Sequence, residues 1–419
     1  MIKDYKVFWI TYLLFPFTLM PLHSIQKGLY YLIIGLSLII IFFKLYKQRM
    51  NKITFYVFLL FLGLFSFLIF LTIVIPEIYG TKDNSFFLSF FDYFLKFLIL
   101  STICLFCKTI DEFLDCFIIA TSIYVFSSII LLVPSIRLVY SDYMYQSTTD
   151  NDHSKFLLAQ GLLYYTRFGL QGFSGFEHTF KCSLSFIFVM YKLTLSHLTN
   201  KKSLYYFGGL INFIGCCLFG RIGILSCFMS FFIYFLYITI FKKNVKMLFI
   251  LSIIFVSVVS IFLLFFEQIK SNPTTNWMFE PFINLIETGK MSSASSNGLK
   301  TMYFKPSIDT LFHGDGFYEP NGHYYKGTDV GILRPLLFWG IFGSVIYYLC
   351  FFVLLLPIYN YFSKRNAKFL LLLFLFQNLL FELKGEVNLT FISILFVMNA
   401  ILLTKNINRQ SIFRLGLKK

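Results

Sequence analysis

Apolar residues in this chain come in long blocks, parted by short polar breaks. Blocks of about 20 apolar residues are the length that crosses a bilayer as a helix. They fall at about 7–22, 28–45, 53–75, 86–107, 113–133, 179–196, 204–219, 222–241, 247–266, 334–358, 368–382 and 387–404. The pattern predicts an all-α polytopic membrane protein of about twelve transmembrane helices, with 1–419 as a single integral membrane domain. The pairs at 204–241 and 368–404 are each split only by a short polar break. Two connections are long, 134–178 and 267–329. Long loops without structure are uncommon unless they carry function. Within the second, WMFEPFINLI at 277–286 has the pattern of an amphipathic interfacial helix, and SSASSNG at 292–298 that of a flexible hinge. No internal repeat is visible.

Composition agrees with this pattern. Of 419 residues, 58% are hydrophobic and 13% charged, and the mean hydropathy is +0.74. A soluble protein of this length could not bury that much apolar surface. The 58 Phe and 27 Tyr read as a compositional bias on lipid-facing surfaces. A net charge of +16 would suggest nucleic acid in a soluble chain, but its distribution gives another answer. Basic residues cluster in short connections: Lys44, Lys47, Arg49 and Lys52; Lys201 and Lys202; Lys242, Lys243 and Lys246; Lys364, Arg365 and Lys368. Lys405, Arg409, Arg414, Lys418 and Lys419 follow the last span. Under the positive-inside rule all fall on the cytoplasmic face when the N-terminus is inside. Both termini are then cytoplasmic, both long connections lie outside, and no nucleic-acid partner is expected. The first block follows Lys3 and Lys6 with no small-residue cleavage site after it, so it reads as a span and not a signal peptide. All eight cysteines lie in or beside apolar blocks, and Cys104 and Cys107 form a lone CxxC that reads as packing.

The charges at the outer ends of the spans are the candidates for chemistry, because charges near a membrane are costly and seldom incidental. RFGLQGFSGFEHTF at 167–180 places Arg167 before a run of glycines and puts Glu177 and His178 at the membrane boundary. It fits an anion clamp with a general base, or an interfacial Arg with a Gly-rich turn. Arg221, in FGRIG, has little loop around it. It points inward or snorkels, and Gly220 and Gly223 allow close backbone approach. Leu311–Gly343 carries Gly314, Asp315, Gly316, His323, Asp329 and Arg334. Asp329 fits a base or a helix N-cap; Arg334 fits an inward cation or a snorkelling one. Glu382, Lys384 and Glu386 interrupt the last pair of helices, as part of a site or as a solvated turn. HExxH, Walker and GxGxxG motifs are absent. The only DxD-type spacing is Asp150 and Asp152, in a polar stretch, so no metal is expected and no cofactor. Arginines without a metal suit a phosphate-bearing substrate, whose diphosphate they can neutralise directly.

These residues resemble the O-antigen polymerase (Wzy-type) family. TLFHGDGF at 310–317 looks like its "LFGxG" element. TDVGILR at 328–334, with FWGIFG at 338–343, looks like its "tDxGyir…fGxxG" element. FELKGE at 381–386 resembles a late family break, and RFGLQGF and FGRIG resemble Arg–Gly elements of the same superfamily. Each motif is short; their order and the layout of spans extend the likeness over essentially the whole chain. The sister ligases carry a His and a polar residue, then nine positions, then GxxG. Here Asp329 and Val330 precede nine residues and then Gly340 and Gly343, so Asp stands in the place of the His, which favours polymerase over ligase. The second connection also lacks an Arg before Arg334, which leaves Lys300 or Lys305 as its point charge.

The resemblance implies a GT-C-like glycosyltransferase of the bacterial inner membrane, working at the periplasmic face in lipopolysaccharide biosynthesis. Its substrates would be oligosaccharide repeat units on undecaprenyl diphosphate, and its partners membrane lipid, a chain-length regulator and a flippase. Arg167, Arg221 and Arg334 would hold diphosphates. Asp329, Glu177 or His178 would be the general base, with Asp329 first. Gly314, Gly316, His323, Lys300, Lys305 and Lys384 would line the substrate loop. The alternatives are an O-antigen ligase and a polysaccharide flippase or transporter. The latter predicts charges at mid-span, of which Lys96 is the clearest.

Overall fold

The computed structural model describes residues 4–15, 52–145, 167–173, 175–195, 202–242 and 245–405, together with Leu32 and Gly35. The chain is an all-α membrane protein. Among the described residues, six helices are long and apolar enough to span a bilayer: Ile53–Tyr79, Ser85–Phe106, Ile110–Ile130, Lys202–Phe219, Arg221–Ile240 and Leu333–Ser363. Phe369–Glu382 and Asn388–Leu403 are shorter apolar helices. The block at 28–45 lies, apart from Leu32 and Gly35, outside the described residues, as do Asp150 and Asp152.

The elements run as follows: α1 (Asp4–Leu14), α2 (Lys52–Tyr79), α3 (Ser85–Ser101), α4 (Ile103–Phe106), α5 (Ile110–Ile130) and α6 (Pro134–Tyr145). A two-residue hairpin, β1 (Phe168–Gly169) and β2 (Gly172–Phe173), precedes α7 (Phe176–Thr194), α8 (Lys202–Phe219), α9 (Arg221–Tyr237) and α10 (Val245–Leu264). Four shorter helices follow: α11 (Phe266–Ser271), α12 (Pro273–Thr288), α13 (Ala294–Met302) and α14 (Ile308–His313). The last three are α15 (Leu333–Ser363), α16 (Phe369–Glu382) and α17 (Asn388–Lys405).

Helices α7 and α17 form the centre and are buried along most of their length. Among so many apolar side chains the specific contacts are polar or small, as in membrane bundles generally. Ser183 meets Ser226 at 2.6 Å and Thr121 donates to Ser185 at 2.8 Å. Asn399 donates to the carbonyl of Leu354 at 2.8 Å. A Cβ at Gly208, Gly209 or Gly215 of α8 would press on Ile118, Val189 or Val125, so small residues let α8 seat against α5 and α7.

One end of the bundle is closed by charge. Lys192 pairs with Asp115 at 2.8 Å, Arg365 with Asp111 at 3.1 Å and Lys6 with Glu112 at 2.5 Å. Tyr205 and Tyr361 add hydrogen bonds to Asp115 and Asp111. Glu177 lies at the other end of α7, roughly 22 Å away at 1.5 Å rise per residue.

The second long connection proves more ordered than its sequence suggests. The first begins with α6, and 146–166 lie outside the described residues. The second is mostly helix, and α12 contains the amphipathic stretch 277–286. The serine run is not a hinge. Ser293 accepts from the Ser296 amide at 3.1 Å, and Ser296 Oγ accepts from the Ser293 amide at 2.8 Å. This reciprocal cap starts α13.

Candidate functional site

At the end opposite the ion pairs, two turns touch backbone to backbone. A Cβ on Gly331 would lie 2.6 Å from the Gly385 carbonyl oxygen and 2.6 Å from Glu382 Oε2. The Ile332 amide donates to the Glu382 carbonyl at 3.2 Å. Glu382 is 1% exposed and accepts from the amides of Val387 and Asn388, at 2.6 and 2.7 Å, and from Tyr348 at 2.8 Å. The break at 382–386 is therefore no solvated turn. Its first carboxylate caps α17 and holds the α16–α17 turn against the segment that leads into α15. That contact brings Lys384 and Asp329 within range of each other's charge.

Asp329 does not cap a helix. The first residue of α15 is Leu333, and Ile332 stands at the cap position without a side-chain bond. Asp329 Oδ1 is buried with no hydrogen-bond partner among the described residues. Burial raises its pKa, against the opposing charge of Lys384. Lys384 shows the converse. Burial, then the nearby charges of Arg167 and Arg221, push its pKa down to about 8, with Asp329 acting the other way. Its ammonium makes no hydrogen bond or ion pair among the described residues.

Arg221 opens α9. A Cβ on Gly220 or Gly223 would lie 2.7 or 2.5 Å from Thr179 side-chain atoms, so both glycines are needed for α9 to start flush against α7. The guanidinium of Arg221 pairs with Glu280 of α12, whose other oxygen accepts from the Ala294 amide at 2.9 Å. Arg221 Nε is buried without a hydrogen-bond partner among the described residues. Arg167, one residue before β1, and Arg221 each lie 4.8 Å from the Trp277 ring. One indole thus holds two guanidiniums in place. Tyr303, which follows α13, donates to the Leu383 carbonyl. Helices α12 and α13 therefore roof a cluster of Arg167, Arg221, Lys384 and Asp329.

Arg334 stands in a separate network. Its guanidinium lies 3.8 Å from the Tyr318 ring and 4.7 Å from the Tyr324 ring. It pairs with Glu319 at 2.5 Å and with Glu386 at 3.3 Å. Glu386 also accepts from Tyr318 and Tyr347. Arg334 faces inward and does not snorkel, and two carboxylates already balance its charge. Glu177 and His178 face another way again. Glu177 pairs with Lys181 at 2.9 Å, and His178 Nε2 bonds Gln171 Oε1 at 2.5 Å while its ring stacks on Tyr124 and Phe15.

The glycine loop serves the backbone. Gly314 and Gly340 both have positive φ, and each would drive a Cβ to within 2.3 Å of a carbonyl across the contact. Gly316 packs on Tyr79, Ile75 and Thr81. Asp315 is satisfied by Thr310, Tyr325 and Lys326. Although burial would raise its pKa, those bonds hold it below the usual carboxylate range. His323, Lys300 and Lys305 are exposed and enter none of these contacts.

So the fold brings Arg167, Arg221, Lys384 and Asp329 together, and sets Arg334, Glu177 and His178 in neighbouring networks. Trp277, Glu280, Tyr303 and Glu319 complete the arrangement and were not singled out from sequence. Trp277 is one of three tryptophans and sits in the stretch with amphipathic pattern, a signal that was available. Among the described residues no group of three or more His, Cys, Asp or Glu side chains could hold a metal ion. No family model, no curated protein and no solved structure matches this chain.

Proposed function

We propose that the protein is a membrane glycosyltransferase of the O-antigen polymerase kind, which joins oligosaccharide units carried on undecaprenyl diphosphate. The observation that carries this reading is the roofed cluster of Arg167, Arg221 and Lys384 beside Asp329. Three cations gather beside Asp329 near a membrane surface, and the Lys384 ammonium makes no hydrogen bond or ion pair among the described residues. Guanidiniums fit phosphate oxygens in bidentate fashion.

In the proposed step, a hydroxyl oxygen of one unit bonds to the anomeric carbon of the other chain. The bond from that carbon to the lipid diphosphate breaks. Asp329, its proton affinity raised by burial, takes the hydroxyl proton. Arg167, Arg221 and Lys384 stabilise the charge on the leaving diphosphate. Arg334 braces the loop that carries Asp329. Twelve spans, a GT-C-like architecture and a periplasmic site belong to the same proposal, supported by the basic connections at 52, 202, 364, 365 and 368, which sit at the bundle end away from the cluster.

The test is complementation of a strain lacking the gene. Asp329→Asn and Arg221→Ala should each reduce polymer at least about a hundredfold, in line with loss of a general base or of a charge-stabilising donor, at normal protein levels. The surface lipopolysaccharide should then carry a single repeat unit. Full-length polymer in both variants would sink the proposal, and loss of even the single unit would favour a ligase or a flippase.

A further inference from the structure

Helix α14 is too short to be stable alone, since isolated helices under about 12 residues are marginal in water. Its neighbours hold it. Ser307 caps its start, accepting from the Thr310 amide at 3.1 Å. Its end is stitched to α15, where a Cβ on Gly340 would lie 2.3 Å from the Phe312 carbonyl oxygen. Tyr79, at the end of α2, donates to the His313 carbonyl at 3.3 Å. The helix is thus fixed to two long apolar helices, and its side chains sort into three directions. Thr310 is buried and Leu311 half-buried. Asp309 and His313 form an exposed polar edge. Ile308 and Phe312, one turn apart and so on one face, form an apolar edge that is 73% and 47% exposed.

The depth of α14 says what covers that apolar edge. Gly340 and Ser363 are 23 residues apart along α15, which is about 35 Å at 1.5 Å rise per residue. Ser363 precedes the basic run Lys364, Arg365 and Lys368, which belongs at headgroup level. A hydrocarbon core is about 30 Å thick. The Gly340 contact therefore falls at the opposite boundary between acyl chains and headgroups. Phe342, Val345, Leu349 and Phe352 then form an exposed apolar stripe down α15, at spacings that share one helix face. Short amphipathic helices rest at such a boundary, with the apolar edge among acyl chains and the polar edge among headgroups.

We propose that α14 is an interfacial membrane-binding helix whose partner is the lipid of the leaflet at the cluster end, with Ile308 and Phe312 inserted between acyl chains. The inference goes beyond the glycosyltransferase reading and does not depend on it. Helix α14 runs through Gly314 and Gly316 into the loop that carries Asp329, so the insertion fixes the height of that loop against the bilayer.

The experiment is labelling of the full chain in lipid nanodiscs with an environment-sensitive thiol fluorophore. The eight native cysteines are buried, so Ile308→Cys, Phe312→Cys and Asp309→Cys can be read singly. Phe342→Cys, on the α15 stripe, is the lipid-facing reference. The probes are a phospholipid with a nitroxide on its acyl chain and aqueous iodide. Labels at positions 308 and 312 should lose fluorescence to the nitroxide lipid as strongly as the label at 342, and several-fold more strongly than the label at 309, which iodide should quench instead. Two positions one turn apart keep the result independent of either variant. Iodide quenching at 308 and 312 equal to that at 309 would put the edge in water and overturn the proposal. Shielding of both positions from both quenchers would mean that protein covers the edge, and would overturn it as well.

Discussion

Within the cluster, the charge of Lys384 is open to pH near neutrality. Burial and the charges of Arg167 and Arg221 push its pKa down to about 8. It is cationic below that value and neutral above it. The cluster therefore holds three cations at pH 7 and two once pH passes 8, and an anionic substrate binds more weakly as pH rises. A plot of kcat/KM against pH, which reports groups of the free enzyme, should fall through a pKa of about 8. Lys384→Arg keeps its charge throughout and should flatten that limb; an unchanged limb would remove Lys384 from the site. Trp277 makes a different prediction. It holds two guanidiniums at 4.8 Å, at roughly 0.5–2 kcal/mol for each cation–π contact. Trp277→Ala should therefore cost about fivefold to nearly a thousandfold in activity at constant protein level, and Trp277→Phe much less. Equal losses in both would mean that an aromatic face is not what holds the guanidiniums. Arg167, Arg221, Asp329 and Lys384 were legible in sequence because charges beside a membrane stand out. Their grouping was not legible, because the partners that take Arg334 out of the cluster, Glu319 and Glu386, lie 15 and 52 positions away along the chain.

Helix α15 shows how an element can be broken without proline. Gly340 (φ 70°, ψ −169°) is non-helical inside it, a backbone region essentially closed to other residues. The break frees the carbonyls of Leu337 and Phe338, which accept instead from the amides of Asp315 and Gly316 at 2.6 and 3.3 Å. The loop is thereby stitched to the helix, with Gly314 and Gly340 facing each other too closely for any side chain. Spacing alone marked the Gly340–Gly343 pair as a motif, but its geometric reason lies in a loop some 25 residues upstream. Gly340→Ala or Gly314→Ala should destabilise the protein by roughly 3 kcal/mol or more, from backbone strain and overpacking together. Thermal unfolding in detergent would register this as a clear fall in Tm. Gly298→Ala, with nothing within 4 Å of the new methyl, serves as the control; a similar fall there would defeat the argument. The ordered second connection was hidden for a related reason. Serines at 292–296 look like a linker by composition, and only their reciprocal bonds make them a helix start.

The bundle as a whole separates two kinds of charge. One end pairs Lys6, Lys192 and Arg365 with Glu112, Asp111 and Asp115, while the other gathers the roofed cations. Helix α15 runs between them, from Leu333 beside the cluster to Ser363 beside Arg365, and at 31 residues it is about 45 Å long, more than a hydrocarbon core. Hydropathy could place the blocks, because lipid demands long apolar helices whatever their partners. It could not foresee which helices lie at the centre, since α17 differs from its lipid-facing neighbours only in small and amide side chains. If the basic connections face the cytoplasm, the roof over the cluster lies across the membrane from them. All eight cysteines are buried, so single reporters can be read against a quiet background. Thr301→Cys, exposed at the end of α13, should react with a membrane-impermeant maleimide in cells whose outer membrane has been permeabilised. Lys364→Cys, exposed just past α15, should react only after the inner membrane is opened. The reverse pattern would put the cluster on the cytoplasmic side, where lipid-linked units are built and not joined, and the polymerase proposal would fall with it.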